Sequence, residues 1–262
     1  MKKVSRRLHV IENRPLSPDV FMLTLGSDQP LPEIKPGQFA NLLIEPSGGA
    51  FLRRPLSIHD VDVANQFIKF YIQKKGKGTQ QLAKLTTQDS VDVIFPLGNG
   101  FSGYEVDLPR TPHPAPHILL VGGGCGVAPL LFLAKTLNQQ HGIRPTILIG
   151  GRSKKNILRI EDYVKYGQVL VMTEDGSMGD KGLVTDHPIF KQQKIDQIYC
   201  CGPSPMMKAV GKLAKEHHIP CQVSLENTMA CGIGACLCCV TPTTEGHKCV
   251  CTDGPVFDVN DL

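Results

Sequence analysis

The stretch His117-Ile118-Leu119-Leu120-Val121-Gly122-Gly123-Gly124-Cys125-Gly126-Val127-Ala128-Pro129 carries a short apolar run into a glycine turn and out into a helix start. An apolar run of this length without alternation predicts a strand buried on both faces. The glycines let the backbone approach a phosphate closely. Pro129 suits the first turn of a helix, which is predicted to run to about residue 138. Strand, glycine turn and helix together form the phosphate-cradling unit of a dinucleotide-binding fold. Gly123, Gly124 and Gly126 are its candidate contacts.

Downstream the same alternation continues. Strands are predicted at 146–149, 169–172 and 195–200, and helices at 157–166 and 205–217. A last strand is predicted at 221–225. Repeated strand–helix units imply a doubly wound parallel sheet with helices on both faces, whose ligands bind beyond the carboxyl ends of the strands. The loops there are Gly150-Gly151-Arg152-Ser153, 173–177 and Cys201-Gly202-Pro203. Cys200 reads as a small buried hydrophobe. The basic residues Arg152, Lys154 and Lys155 have the charge to hold a nucleotide 2′-phosphate, and could equally be a solvated helix start.

Upstream, Thr111-Pro112-His113-Pro114-Ala115-Pro116 reads as an extended linker and a domain boundary. Before it, short segments at 20–25, 37–44, 52–59, 66–73 and 90–95 carry strand composition between turn residues. They predict an antiparallel β-barrel or sandwich, with one short helix at 79–84. Within it, Arg53-Arg54-Pro55-Leu56-Ser57 places an arginine fork and a hydroxyl three residues apart, able to reach a pyrophosphate and a ribityl group together. Gly76-Lys77-Gly78-Thr79 is a glycine turn running into a helix start, which offers free N–H groups to an anion.

The chain ends on cysteines. Of its ten, six fall between Cys231 and Cys251. Cys231, Cys236 and Cys239 have the Cys-x4-Cys-x2-Cys spacing of three thiolates around a plant-type 2Fe–2S cluster. Gly232 and Gly234 fit the bend such a loop needs. On spacing, the fourth ligand is either Cys249 or Cys251. Structural zinc favours two separated Cys-x2–4-Cys knuckles, which the one-residue gap between Cys249 and Cys251 fits poorly.

Composition bounds the rest. The chain has 262 residues, is 41% hydrophobic and 20% charged, and carries a net charge of +4 with no basic run. That describes a soluble globular protein and gives no reason to expect nucleic acid. The most apolar segment, 118–133, is broken by consecutive glycines, so no membrane span is expected. With no export signal read at the N-terminus, ten cysteines point to a reducing cytoplasm and to ligation or redox work.

The arginine–serine strand motif Arg54-Pro55-Leu56-Ser57 and the turn Gly78-Thr79 resemble the FAD-binding barrel of the ferredoxin–NADP reductase superfamily. Cys201-Gly202-Pro203 resembles that superfamily's element beside the nicotinamide. The segments from Met229-Ala230-Cys231 to Cys239 and from Val250-Cys251 to Phe257 are more specific. With the order of barrel, nucleotide domain and cysteine segment, they resemble the electron-transfer subunits of NAD-dependent (class B) dihydroorotate dehydrogenase.

The resemblance implies three parts: an FAD barrel at 1–110, an NAD-binding α/β domain at 111–222 and a 2Fe–2S segment at 223–262. It implies FAD held by Arg54, Pro55, Leu56, Ser57, Tyr71, Ile72, Gln73, Gly78 and Thr79, and nicotinamide beside Cys201. It implies cluster ligands Cys231, Cys236, Cys239 and Cys251, leaving Cys238 and Cys249 outside the set. No side chain of this chain is implied as a general base. The implied partner is an FMN-containing catalytic subunit in a two-plus-two heterotetramer, serving pyrimidine biosynthesis. Two other readings stand beside it. One is a related reductase linking NAD(P)H to ferredoxin, sulfide or hydrogenase partners. The other is a zinc-binding interaction protein without redox cofactors.

Overall fold

The computed structural model describes residues 3–44, 51–104 and 116–262. The chain forms two compact units, Met1–Gly100 with Glu226–Pro255, and Phe101–Leu225 with Val256–Leu262. The proline linker expected at 111–116 lies outside the described residues except for Pro116.

The first unit is built on strands β1 (Val4–Ser17), β2 (Val20–Gly26), β3 (Phe39–Leu42), β4 (Arg54–Ser57), β5 (Asp60–Asp62), β6 (Phe67–Gln73) and β7 (Ser90–Leu97). One short helix, α1 (Lys77–Leu82), follows β6. The strands pair antiparallel in the order β4-β3-β7-β1-β2-β6-β5. β4 and β5 are the two ends of that order, yet only Ile58 and His59 separate them in the chain. Flat, the outer strands would lie about 29 Å apart, whereas three residue steps reach at most about 11 Å. The sheet therefore rolls on itself, as the barrel reading requires. Nothing in the sequence pattern announces β1, because only Leu8 and Val10 of its fourteen residues are buried.

The second unit carries β8 (Ile118–Gly123), β9 (Thr146–Gly151), β10 (Gln168–Thr173), β11 (Asp180–Lys181), β12 (Gln197–Cys201) and β13 (Cys221–Ser224), all paired in parallel. Its helices are α2 (Ala128–His141), α3 (Ile160–Val164), α4 (Ile189–Gln192) and α5 (Ser204–Glu216). Residues 118–121 alternate between the two sheet faces. Ile118 and Leu120 pack with Leu130, Leu133 and Leu137 of α2. Leu119 and Val121 pack with Met207, Val210 and Ala214 of α5. Helices thus cover both faces, which accounts for the unbroken apolar run of β8. The strand order is β11-β10-β9-β8-β12-β13, so the winding reverses at β8, the place where such sheets open a crevice for a ligand. The helix predicted at 157–166 is shorter than expected. A 3-10 turn at Lys154–Asn156 precedes it, and α3 covers only Ile160–Val164.

The cysteine segment returns to the first unit and forms a hairpin of β14 (Val240–Thr243) and β15 (Gly246–Cys249). The chain then adds β16 (Val256–Asp258) antiparallel to β13, in the second unit. The strand predicted at 221–225 is therefore not the last of its sheet. Among the described residues, no helix is long and apolar enough to cross a membrane.

Candidate functional site

The cysteine loop is the most constrained of the three regions that carry chemistry. Gly232 and Gly234 adopt positive φ, +70° and +89°. This turns successive N–H groups inward. The Ile233 N–H donates to Cys231 Sγ at 3.5 Å. With the N–H groups of Ala235 and Cys236 and the Cys236 thiol, it holds the Cys231 thiol down at about 6. Donors aimed at sulfur stabilise the thiolate, the form that binds metal. Cys239 and Cys251 are buried together, and the Cys251 N–H donates to Cys239 Sγ at 3.4 Å. Desolvation, followed by a hydrogen bond with Cys239, pushes the Cys251 thiol up to about 12. A thiol so placed ionises when a metal's charge compensates the burial.

Of the four expected ligands, Cys239 and Cys251 touch through the Cys251 N–H, and Cys231 and Cys236 share the bent loop whose Ile233 N–H reaches the Cys231 sulfur. Among the described residues, no three His, Cys, Asp or Glu side chains group as ligands of a single ion. A 2Fe–2S cluster would be held by four thiolates, which Cys231, Cys236, Cys239 and Cys251 would supply. The donor set fits the cluster.

The two remaining cysteines stand differently. Cys238 is exposed and donates to the Thr228 carbonyl at 3.7 Å. Cys249 is half-buried, and its main chain is clamped by Asp253. Its N–H donates to Asp253 Oδ2 at 2.7 Å and its carbonyl accepts the Asp253 N–H at 2.8 Å. Desolvation, then the nearby Cys239, Asp253, Cys231 and Cys236, push its thiol up.

In the barrel, β4 is half-buried along all four residues, Arg54, Pro55, Leu56 and Ser57, beside the fully buried β3. The turn at α1 lies against it. A Cβ on Gly78 would stand 2.4 Å from Arg54 Nε, so only a glycine lets the guanidinium lie so close. Arg54 and Gly78-Thr79, far apart in sequence, are thereby brought together. The Thr79 hydroxyl accepts the Lys75 and Gly76 N–H groups at 3.0 and 3.2 Å, which shapes the turn. On β6, Tyr71 packs on His59 with ring centroids 5.6 Å apart, Ile72 is buried and Gln73 is half-buried. Alternation puts Tyr71 and Gln73 on one face and Ile72 on the other. A half-open strand, an arginine and a glycine turn fit a flavin dinucleotide.

In the second unit, Gly123 ends β8, and Gly124 takes φ +54° with open space where a Cβ would stand. Gly126 is pressed against the loop after β12, where a Cβ would fall 2.3 Å from Gly202 Cα and 2.6 Å from the Cys201 carbonyl oxygen. The Cys201 main chain therefore lines the crevice at the switch point. Its thiol instead donates to the Ser224 carbonyl at 3.6 Å within the core. The buried Tyr163 hydroxyl donates to the Val127 carbonyl at 2.9 Å and fixes the far side of the glycine turn. The pairing of glycine turn and Cys-Gly-Pro loop fits a dinucleotide.

Sequence reasoning missed Asn41. This residue of β3 is buried, and its Nδ2 donates to the Cys231 carbonyl at 3.0 Å. The available signal was a polar residue within the apolar run Phe39-Ala40-Asn41-Leu42-Leu43-Ile44.

Comparison with known proteins agrees with this arrangement. Residues 226–262 match the family model described as the iron-sulfur cluster binding domain of dihydroorotate dehydrogenase B. Residues 120–212 match the oxidoreductase NAD-binding domain. The chain is 37% identical over 255 residues to the dihydroorotate dehydrogenase B (NAD(+)) electron transfer subunit of Caldanaerobacter subterraneus subsp. tengcongensis, covering 96% of this chain and 95% of that one. It is 38% identical over 257 residues to the subunit of the same name from Clostridium acetobutylicum, covering 97% and 95%. Among solved structures, a chain from the NADH-dependent reduced ferredoxin–NADP oxidoreductase superposes with TM-score 0.83 at 30% identity, over 97% of this chain and 88% of that one. The ferredoxin reductase of carbazole 1,9a-dioxygenase shares the fold, with TM-score 0.68 at 19% identity over 84% and 68%.

Proposed function

This chain belongs to the family of electron-transfer subunits of dihydroorotate dehydrogenase B, and from that premise we propose that it passes electrons from dihydroorotate oxidation on a partner subunit to NAD+. The reaction serves pyrimidine biosynthesis, and it belongs in the cytoplasm. Dihydroorotate gives up two electrons and two protons. NAD+ takes up both electrons with one proton, and the other proton goes to solvent. The partner is an FMN-containing catalytic subunit, assembled with this one as a two-plus-two heterotetramer.

When bound, the 2Fe–2S cluster supplies one-electron transfer and FAD converts single electrons into a hydride for NAD+. The chain's own residues bind and orient. Cys231, Cys236, Cys239 and Cys251 hold the cluster. Arg54 and the Gly78-Thr79 turn hold the flavin pyrophosphate, Ser57 its ribityl side, and Pro55, Leu56, Tyr71, Ile72 and Gln73 line the rest. Gly123, Gly124, Gly126 and the Cys201 main chain take the nicotinamide dinucleotide. Ile233 and Leu237, exposed apolar side chains beside the thiols, suit a surface that a partner covers.

The observation that carries the proposal is the bent cysteine loop, with an N–H turned to the Cys231 sulfur and Cys239 set against Cys251, in one chain that also has the arginine–glycine turn and the glycine crevice. The test is anaerobic co-purification with an FMN protein, followed by assay of dihydroorotate-dependent NAD+ reduction. Activity in the complex that is lost on separation is the expected result. The superposition on the ferredoxin–NADP oxidoreductase chain favours a second reading, a reductase handing electrons between NAD(P)H and ferredoxin. NADPH-dependent ferredoxin reduction by this chain, with no activity towards dihydroorotate in any complex, would establish that instead.

A further inference from the structure

Asn41 is a costly residue where it stands. It is 1% exposed inside the barrel, and a buried carboxamide loses its water. Among the described residues its side chain makes a single hydrogen bond, from Nδ2 to the Cys231 carbonyl at 3.0 Å, and Oδ1 has no partner. An apolar residue would suit the barrel better. What the amide does instead is reach across 190 positions of sequence to the first cysteine of the cluster loop. The approach is close. A Cβ on Gly232 would lie 2.6 Å from Asn41 Nδ2, so the loop can seat there only with a glycine in the next position.

The other side of Asn41 is equally fixed. It pairs with Pro55 across β3 and β4, within the flavin motif itself. Pro55 has no N–H to give. The Asn41 carbonyl accepts from Arg53 Nη1 at 3.3 Å. Arg53 is anchored in turn on the Asp92 carbonyl at 3.0 Å and on Asp92 Oδ1 at 2.5 Å. Cross-strand pairing puts Asn41 and Phe39 on the same face as Pro55 and Ser57. One side chain therefore spans the space between the cluster loop and the strand pair that carries the flavin motif.

Resting on the functional reading above, we propose that Asn41 is a positioning residue for electron exchange: its carboxamide registers the Cys231 loop against β3 and β4, and so sets the gap that single electrons cross between cluster and flavin. One electron leaves one centre and enters the other at each crossing, and no proton or bond at Asn41 is involved.

The test uses the full chain loaded with FAD and cluster, with NADH as reductant. Flavin bleaching and the paramagnetic signal of the reduced cluster are followed separately by stopped flow and freeze quench. Asn41→Leu keeps the bulk and removes the donor, and Asn41→Asp is isosteric and cannot donate when ionised. In both, NADH should bleach the flavin at the wild-type rate. Cluster reduction should slow several-fold, because the rate of electron exchange falls steeply as the gap between the two centres widens. The cluster signal should change shape. Wild-type cluster rates and line shape in both variants would overturn the proposal. Loss of iron from both with FAD retained would also overturn it, since Asn41 would then serve assembly and not spacing. If Asn41→Leu does not fold, Asn41→Asp decides alone. A wild-type chain that binds neither flavin nor iron would overturn the functional reading and, with it, the proposal that rests on it.

Discussion

The cysteines of this chain fall into two populations with opposite chemistry. Cys200 and Cys221 lie in the parallel sheet, fully buried among Val121, Ile198 and Val210. Burial pushes the Cys221 thiol up to about 12 and raises that of Cys200 as well. Cys231 lies in a loop whose turned backbone brings N–H groups to its sulfur, and its thiol is held down at about 6. The residue type is the same and the backbone around it differs. A regular strand spends its N–H groups on its neighbours and leaves none for sulfur. A loop bent through Gly232 and Gly234 has N–H groups left to give. The same contrast explains why Cys201, at the crevice, offers its main chain while its thiol stays in the core.

The largest expected effect separates the two populations outright. Cys239→Ser or Cys251→Ser should drop iron from about two atoms per chain to none while FAD stays bound. Cys249→Ser and Cys238→Ser should keep the iron, as should Cys221→Ala. Metal analysis of the purified variants reads this. Full iron in Cys251→Ser and none in Cys249→Ser would reverse the ligand assignment.

Next in size is Gly126→Ala. Its Cβ would meet the Gly202 backbone at 2.3 Å, where nothing flexible can give way. A loss of about 2–3 kcal/mol in stability is expected. NADH should no longer bleach the flavin, and iron should remain. Thermal unfolding together with flavin absorbance checks both halves. Gly78→Ala is milder, because the clash at 2.4 Å is with the Arg54 side chain, which can swing aside. The fold should survive and FAD affinity should fall about tenfold, near 1.4 kcal/mol, measured by flavin release on dilution.

The smallest effect on the cofactors belongs to the sheet. Cys200→Ser buries a hydroxyl in an apolar layer and should cost about 1–3 kcal/mol. Cofactor content should be unchanged, and neither Cys200 nor Cys221 should be alkylated in the folded chain. Denaturant unfolding and mass spectrometry after brief iodoacetamide treatment would show it.

How far the sequence could be read follows from how local each signal is. The glycine turn after β8 and the Cys231–Cys239 loop are written in consecutive residues, so their spacing alone is informative. Arg54 and the Gly78 turn were legible as separate motifs, but their contact was not, because it depends on the rolled sheet. β1 stayed hidden since only Leu8 and Val10 mark a buried face, its neighbours holding it by main-chain pairing. β14 and β15 are half-exposed, with Pro242 in the ladder, and give no alternating pattern. β16 pairs with β13 after more than thirty intervening residues, a distance no local pattern bridges. Asn41 was visible only as a polar residue in an apolar strand, and what it touches is set by the tertiary fold.

One chain carries a nicotinamide crevice, a flavin barrel and a two-iron loop. The most direct measurement is electron paramagnetic resonance of the anaerobically purified chain before and after NADH. No signal is expected beforehand and a reduced 2Fe–2S signal afterwards, accompanied by flavin bleaching and about two irons per chain. A colourless chain that contains zinc, binds no flavin and stays silent after NADH would contradict this expectation.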